Sequence, residues 1–380
     1  VIRATLLVAC VAGLAAAELP RRAEVEALAA QTQAWLIAKS QADGSLAEGG
    51  TLTAGITAFA AGALVQPPQA LPASHPAVAG ALRYLGGLRH ADGGYYDPKE
   101  GLGNYVTALT LEFVVRLNAA DRPGFDVPAM QRYILGLQNT DPASLGSGGI
   151  GYNADKSAGA EDLSNTAYAV QSLRASGVPA ADPRLQAALG FLQRCQDLSA
   201  VNHQPWVGQA GGAPGGGVYG PQDAARSWES RDTGGTPRFV PTASMTYALV
   251  SSYLALDLSA DDPRVKAALG WLAANWGFEA NPGLGAGREQ QGIFHLQALA
   301  ARTFDLLPAT TITLADGRVV DWRADLYAAV AKRAQRMTLA DGTPAAFWIN
   351  EAPRWGEGIP HLSTAYALRA LKTVARHLPD

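Results

Sequence analysis

The sequence predicts an all-α fold in which six helical hairpins close into an α/α toroid, one ring of helices inside another, with a small β-hairpin inserted late in the chain. Three observations predict it. A half-motif recurs in which an aromatic residue and a Leu or Ile are followed by a polar residue and then by Gly or Asp-Gly. A second apolar segment follows each copy, which is the signature of a repeated helix-loop-helix unit. The last such segment is no more polar than the interior ones, whereas an open array must present a polar face at each end.

In order, the first halves are "AWLIAKSQADGS", "RYLGGLRHADGGYY", "RYILGLQNTD" with "GSGGIGY", "GFLQRCQDL" with "GGGVYG", "GWLAANWGFEANPGLG" and "VAKRAQRMTLADGT". The sixth lacks the aromatic pair. Apolar residues recur at three and four in "VAGALRYLGGL" and "PRLQAALGFLQ", so each first helix buries one stripe and belongs to the outer ring. The second halves are "TAGITAFAAGALV", "NYVTALTLEFVVRL", "LSNTAYAVQSLRASG", "TASMTYALVSSYLAL", "GIFHLQALAARTFDLL" and "HLSTAYALRALKTVARHL". They are apolar nearly all round and rich in Ala, Ser and Thr, as suits inner helices that line a restricted centre. Gly93, Gly94, Gly148 and Gly149 mark the turns within units, and Pro76, Pro128, Pro183 and Pro263 mark the starts of outer helices. Two insertions break the rhythm. One runs from Ser199 to Phe239 and holds Trp206, Arg226, Trp228, Glu229 and Arg231, which could cover one end of the barrel. The other, "TITLADGRVVDW", places Asp316-Gly317 between β-branched residues and predicts the hairpin.

With 380 residues, 48% of them hydrophobic, the chain can fill one large core. A formal charge of −3 without a Lys/Arg run gives no electrostatic reason to expect nucleic acid or an anionic membrane. Residues 1–17 read as a secretory signal, with Arg3, an apolar run from Leu6 to Leu14, and Ala15 and Ala17 framing a cleavage point before Glu18. The expected domain is then a single toroid over residues 18–380 in an exported protein. Lipid anchoring through Cys10 is disfavoured, because cleavage before it leaves a very short apolar region. Cys195 would be the only cysteine remaining, so no internal disulfide is expected, and no later apolar run reaches the roughly 20 residues of a membrane span.

Over residues 25–378 these units resemble the prenyltransferase and squalene-oxidase repeats of the terpene-cyclase and protein-prenyltransferase superfamily. The resemblance is closest to its secreted bacterial members of unsettled activity, through "NPGLG" from Asn281, "DWRADL" from Asp321 and "RWGEGIPHLSTAYALRAL" from Arg354. It implies the α/α toroid and says little about chemistry. Squalene-type cyclases protonate an alkene with the middle Asp of a D-x-D-D-T-A motif. Laid on "EDLSNTA", that motif matches Asp162, Thr166 and Ala167 but meets Ser164 and Asn165 at its second and third acids. A serine hydroxyl is far too weak an acid for that step, so the cyclase acid is expected to be missing. Those cyclases also pair two barrels, where this chain matches one. The zinc site of protein prenyltransferases needs Asp, Cys and His. Cys195 lies in an outer-helix pattern and His361 is out of register, so no metal and no cofactor are expected. The thioester of complement-type toroids needs a Cys that "GREQQ", from Gly287, lacks.

The catalytic candidates are Asp162, His295 and Glu112, each with a structural alternative. Asp162 reads first as the N-cap of its helix. His295 is a core histidine or, facing the cavity, a neutral base. Glu112 forms an i to i+4 pair with Arg116 or, turned into an apolar cavity, becomes a carboxylic acid of raised pKa. The ligand-binding candidates are Asn165 beside Asp162, Glu289 before the helix of His295, and Arg354, Trp355, Glu357 and His361 in the charged, aromatic loop "EAPRWGEGIPHL". Expected partners are a small molecule, an isoprenoid among them, a glycan or a protein. The reading reached is a toroid that binds a ligand or partner in its cavity or at its loop-bearing end. The alternative is an extracytoplasmic enzyme, either an isoprenoid cyclase with another acid or a glycan-acting enzyme with paired carboxylates.

Overall fold

The computed structural model describes residues 18–153, 160–209, 211–222 and 239–380. Residues 1–17 with Cys10, where a signal segment is expected, and Arg226, Trp228, Glu229 and Arg231 of the long insertion, lie outside them. In chain order the helices are α1 (Arg22–Ala38), α2 (Thr53–Leu64), α3 (Pro76–Gly86), α4 (Gly103–Val114), α5 (Val127–Gly136), α6 (Leu163–Ala175), α7 (Pro183–Arg194), α8 (Ala243–Ala255), α9 (Pro263–Ala274), α10 (Ile293–Asp305), α11 (Trp322–Lys332) and α12 (Pro360–His377). Even-numbered helices form the inner ring, each packed on the next, and α12 returns onto α2. The ring is closed. Gln66 donates to Thr373 at 3.0 Å across the seam, and Lys372 Nζ donates to the carbonyls of Ala63, Leu64 and Gln66. None of these helices is long and apolar enough to cross a membrane.

One contact repeats in nearly every unit. The hydroxyls of Thr57, Thr107, Thr166, Thr246 and Thr364, near the start of each inner helix, accept at 2.9–3.0 Å from the backbone N–H of Leu46, Tyr95, Ile150, Gly217 and Trp348. Gln297 takes this place in α10, donating to the Phe278 carbonyl. Each bond ties the glycine turn of a unit to its inner helix and satisfies a buried backbone group. The turns also press on the next outer helix. Gly93 and Gly148 have φ of 93° and 81°, and a Cβ at either would meet the Ala129 or Ala187 carbonyl oxygen within 2.7 Å. Gly94 and Gly149 do not have positive φ. They are small because Tyr133 and Phe191 occupy the space a side chain would fill.

Asp126, Asp182, Asp262 and Asp321 cap the outer helices α5, α7, α9 and α11. The predicted hairpin is present as β1 (Thr311–Thr313) against β2 (Val319–Asp321). A second hairpin, β3 (Gln335–Thr338) against β4 (Pro344–Phe347), stands where the sixth half-motif leaves its helix. Its strands hid in the sequence because β3 is exposed throughout, while Ala345 and Ala346 of β4 are buried in a strand packed on α1.

Candidate ligand cavity

The first turns of the inner helices surround a cavity of about 740 Å³. Leu52 faces it just before α2, Ile56 and Phe59 from α2, Tyr105 and Leu109 from α4, Ser164 and Tyr168 from α6, Ser244 and Met245 from α8, His295 from α10, and Leu362 and Tyr366 from α12. Helical geometry selects these positions. Residues two apart on a helix point about 200° apart, so a threonine that turns outward to hold its loop sends the residue two before it inward. Gly55, Tyr105, Ser164, Ser244, His295 and Leu362 occupy that position in the six helices, and all line the cavity. Four residues further on, Phe59, Leu109, Tyr168 and Tyr366 line it one turn deeper.

The walls are aromatic and their rings touch. Phe59 meets Tyr366 edge-on at 4.7 Å, Tyr105 meets Tyr168 at 5.2 Å, and His295 lies 5.6 Å from Tyr366. Burial lowers the His295 pKa to about 4, so its imidazole is neutral near pH 7. One turn below this collar, Glu112 accepts from Arg116 at 2.9 Å, Arg302 at 3.0 Å and Arg369 at 3.2 Å. Burial opposes its ionisation, but the three guanidiniums, Arg302 first, hold its carboxyl well below the usual carboxylate range. The i to i+4 pair is therefore present, and the expectation of a cavity acid with raised pKa is corrected: Glu112 is an anion beneath the cavity. Arg369 also lies 4.0 Å over the Phe59 ring.

The loop before α12 closes one side. Glu357 is fully buried, accepts from the His295 backbone N–H at 2.7 Å and from Asn350 Nδ2 at 2.6 Å, and so serves the N-terminus of α10, whose own N-cap is Gly292. Burial pushes its carboxyl up to about 7 against these hydrogen bonds. Trp355 holds a left-handed φ of 55°, is 48% exposed, and has its ring against Gly292 with the Arg354 guanidinium 5.4 Å away.

His295, Arg354, Trp355 and Glu357 line the cavity. The other candidates stand elsewhere. Asp162 is buried behind the wall, accepting from the Asn165 backbone N–H at 2.7 Å as the N-cap of α6, and from Asn165 Nδ2 at 2.8 Å. Asn165 in turn accepts from Asn104 in α4. Glu289 is outside the lining, with its carbonyl accepting from Asn281 N–H. His361 packs on Trp35, ring centres 5.0 Å apart, in the core next to α1. Glu289 and His361 were placed by their loops, and loop position does not report side-chain direction. The residues that sequence reasoning missed are the aromatic ones, Phe59, Tyr105, Tyr152, Tyr168, Tyr219 and Tyr366; the shared threonine register would have located all but Tyr152 and Tyr219. Among the described residues no group of three His, Cys, Asp or Glu could hold a metal.

Among solved structures, the chain is similar to a protein from Actinoplanes at 18% identity, covering 92% of this chain and 99% of that one, with a TM-score of 0.54. It is similar to the type II terpene cyclase MstE from Scytonema at 13% identity over 93% of this chain and 98% of that one, TM-score 0.54. A substituted form of that cyclase, in complex with its substrate geranylgeranyl dihydroxybenzoate, matches at 14% identity over 94% and 99%, TM-score 0.52. At these identities the likeness establishes the all-α, terpene-cyclase-like toroid fold. No protein-family model and no curated protein matches the chain.

Proposed function

We propose that this chain binds an elongated, largely apolar ligand of the isoprenoid class in its central cavity, and that it does so without protonating it. The observation that carries this reading is the cavity wall: an aromatic collar in about 740 Å³, a volume within the range of about 300–1,000 Å³ usual for ligand sites. The prenyl substrate of the Scytonema cyclase supports the ligand class by analogy of fold. The place matching that superfamily's proton donor is held by Ser164, which faces the cavity, while Asp162 is spent on its helix. A cyclase using Glu357 instead is the second reading, favoured by its buried, cavity-lining carboxyl of pKa about 7. Against it, both carboxyl oxygens accept structural hydrogen bonds, and such a group is a weaker acid than an ordinary carboxyl. The glycan reading needs two facing carboxylates, and Glu357 is the only one among the described lining residues.

The test is mass spectrometry of an organic extract from the protein purified from its native host, beside the same extract from Gly55→Leu. A Cβ at Gly55 meets nothing closer than Val106 at 3.9 Å, so a larger side chain can start from this position, which lines the cavity. A stoichiometric isoprenoid in the native extract and its loss in Gly55→Leu are expected. Equal extracts from both would sink the cavity reading, and an isoprenoid recovered as a cyclised product only while Glu357 is intact would favour the second.

A further inference from the structure

The cavity wall is two-faced. Leu52, Gly55, Ile56 and Phe59, before and on α2, offer no hydrogen bond, and Leu362 extends that face onto α12 up to Tyr366, whereas the side formed by α4 and α6 carries hydroxyls. There the Tyr105 hydroxyl donates to Ser164 Oγ at 2.7 Å. Beside it the hydroxyls of Tyr152 and Tyr219 are 2.7 Å apart, and the Tyr105 and Tyr152 rings lie 5.6 Å from each other, so the two pairs adjoin. Ser164 is only 5% exposed, and the bond it accepts from Tyr105 is the hydrogen bond of its side chain among the described residues, so its own O–H can turn to a ligand. A buried hydroxyl donor that faces a cavity without an acceptor is costly unless a ligand or water completes it.

We infer that the ligand carries a neutral, oxygen-bearing head group, an alcohol or phenol, held by Ser164 beside the Tyr105 and Tyr152–Tyr219 hydroxyls, with its apolar tail against Phe59 and Leu109. This rests on the cavity-binding reading and specifies its ligand. Burial pushes the Tyr105 and Tyr219 phenols well above their ordinary range, so they stay neutral at physiological pH. A diphosphate or carboxylate head is disfavoured because the described lining offers one cation, the exposed Arg354, and also holds the Glu357 carboxyl. An anion entering there would lose its water without sufficient countercharge.

The experiment is competition against an environment-sensitive polyene probe on the full chain, using three C20 polyprenyl competitors: the alcohol, the diphosphate, and the hydrocarbon without the hydroxyl. The alcohol is expected to bind about fivefold to tenfold more tightly than the hydrocarbon, as one added hydrogen bond gives, and more tightly than the diphosphate. Ser164→Ala should bring alcohol and hydrocarbon within about twofold of each other, and Ser164→Thr, which keeps the hydroxyl, should restore the gap. Equal binding of alcohol and hydrocarbon to the native chain, tighter binding of the diphosphate, or an unchanged ratio in Ser164→Ala would overturn the inference while leaving cavity binding intact. Failure of all three competitors to displace the probe would overturn both. The native-chain series decides the matter without either variant.

Discussion

Glu112, beneath the cavity, and Glu357, in its wall, are both buried carboxyl groups, and their surroundings drive them in opposite directions. Three arginines, Arg116 just past α4, Arg302 of α10 and Arg369 of α12, keep Glu112 charged, so it joins inner helices and offers no proton. Glu357 has no such cation in its hydrogen-bond set, and burial raises it to about 7 from an ordinary 4.5. The stability tied to a raised carboxyl is present in full below its unfolded pKa and is lost as pH rises through its folded one. For Glu357 the loss runs from about pH 4.5 to beyond 7. His295, lowered to about 4, works oppositely below pH 6.5 but is neutral in both states above it. Glu357→Gln should therefore gain about 1 kcal/mol relative to the native chain between pH 6.5 and 8. Denaturant melts of the two proteins across that range check it; parallel curves would show that Glu357 does not titrate there.

At the scale of elements, the inner helices solve the problem of their first N–H groups in two ways. Asp162 and Thr242 cap α6 and α8 from within the chain. The helices α2 and α10 begin after left-handed residues, Leu52 and Gly292, with no cap of their own. For α10 the bond comes from Glu357, 62 residues away. Distant capping welds the loop of one unit to the helix of its neighbour, which local capping cannot do. For α6 the cap has a direct consequence: Asp162→Asn should cost about 1 kcal/mol or less and Asp162→Ala about 2 kcal/mol, since Asn caps nearly as well as Asp. Thermal melts of both variants test this. Should Asn prove as damaging as Ala, the carboxylate charge itself would be needed, and Asp162 would have to be reconsidered as a functional group. The hairpin of β3 and β4 is the element the sequence concealed, because its period is visible only once α1 is known to cover one face.

At the scale of the whole molecule, closure makes the six units interdependent. α12 touches α1, α2, α10 and α11, and its Lys372 and Thr373 hold the end of α2. A chain ending at Ile359 should therefore lose cooperative unfolding and the cavity together. An open array would lose only its last unit, with the remaining repeats melting nearly as before. Calorimetry and near-UV dichroism of the truncated and full chains distinguish these outcomes.

The repeats, the alternation of outer and inner helices, the caps and the hairpin at Asp316-Gly317 were legible in the sequence, because each follows from local periodicity and turn chemistry. Even the cavity positions were written there, two residues before Thr57, Thr107, Thr166, Thr246 and Thr364. That register acquires meaning only when the threonines are seen to hold their loops. Tertiary structure alone decided that Glu112 meets Arg302 and Arg369, that Glu357 reaches α10, and that Ser164 faces the cavity while Asp162 does not. Those outcomes depend on side-chain direction and on neighbours up to 257 residues away, such as Arg369 for Glu112, and neither is encoded in any short stretch of chain.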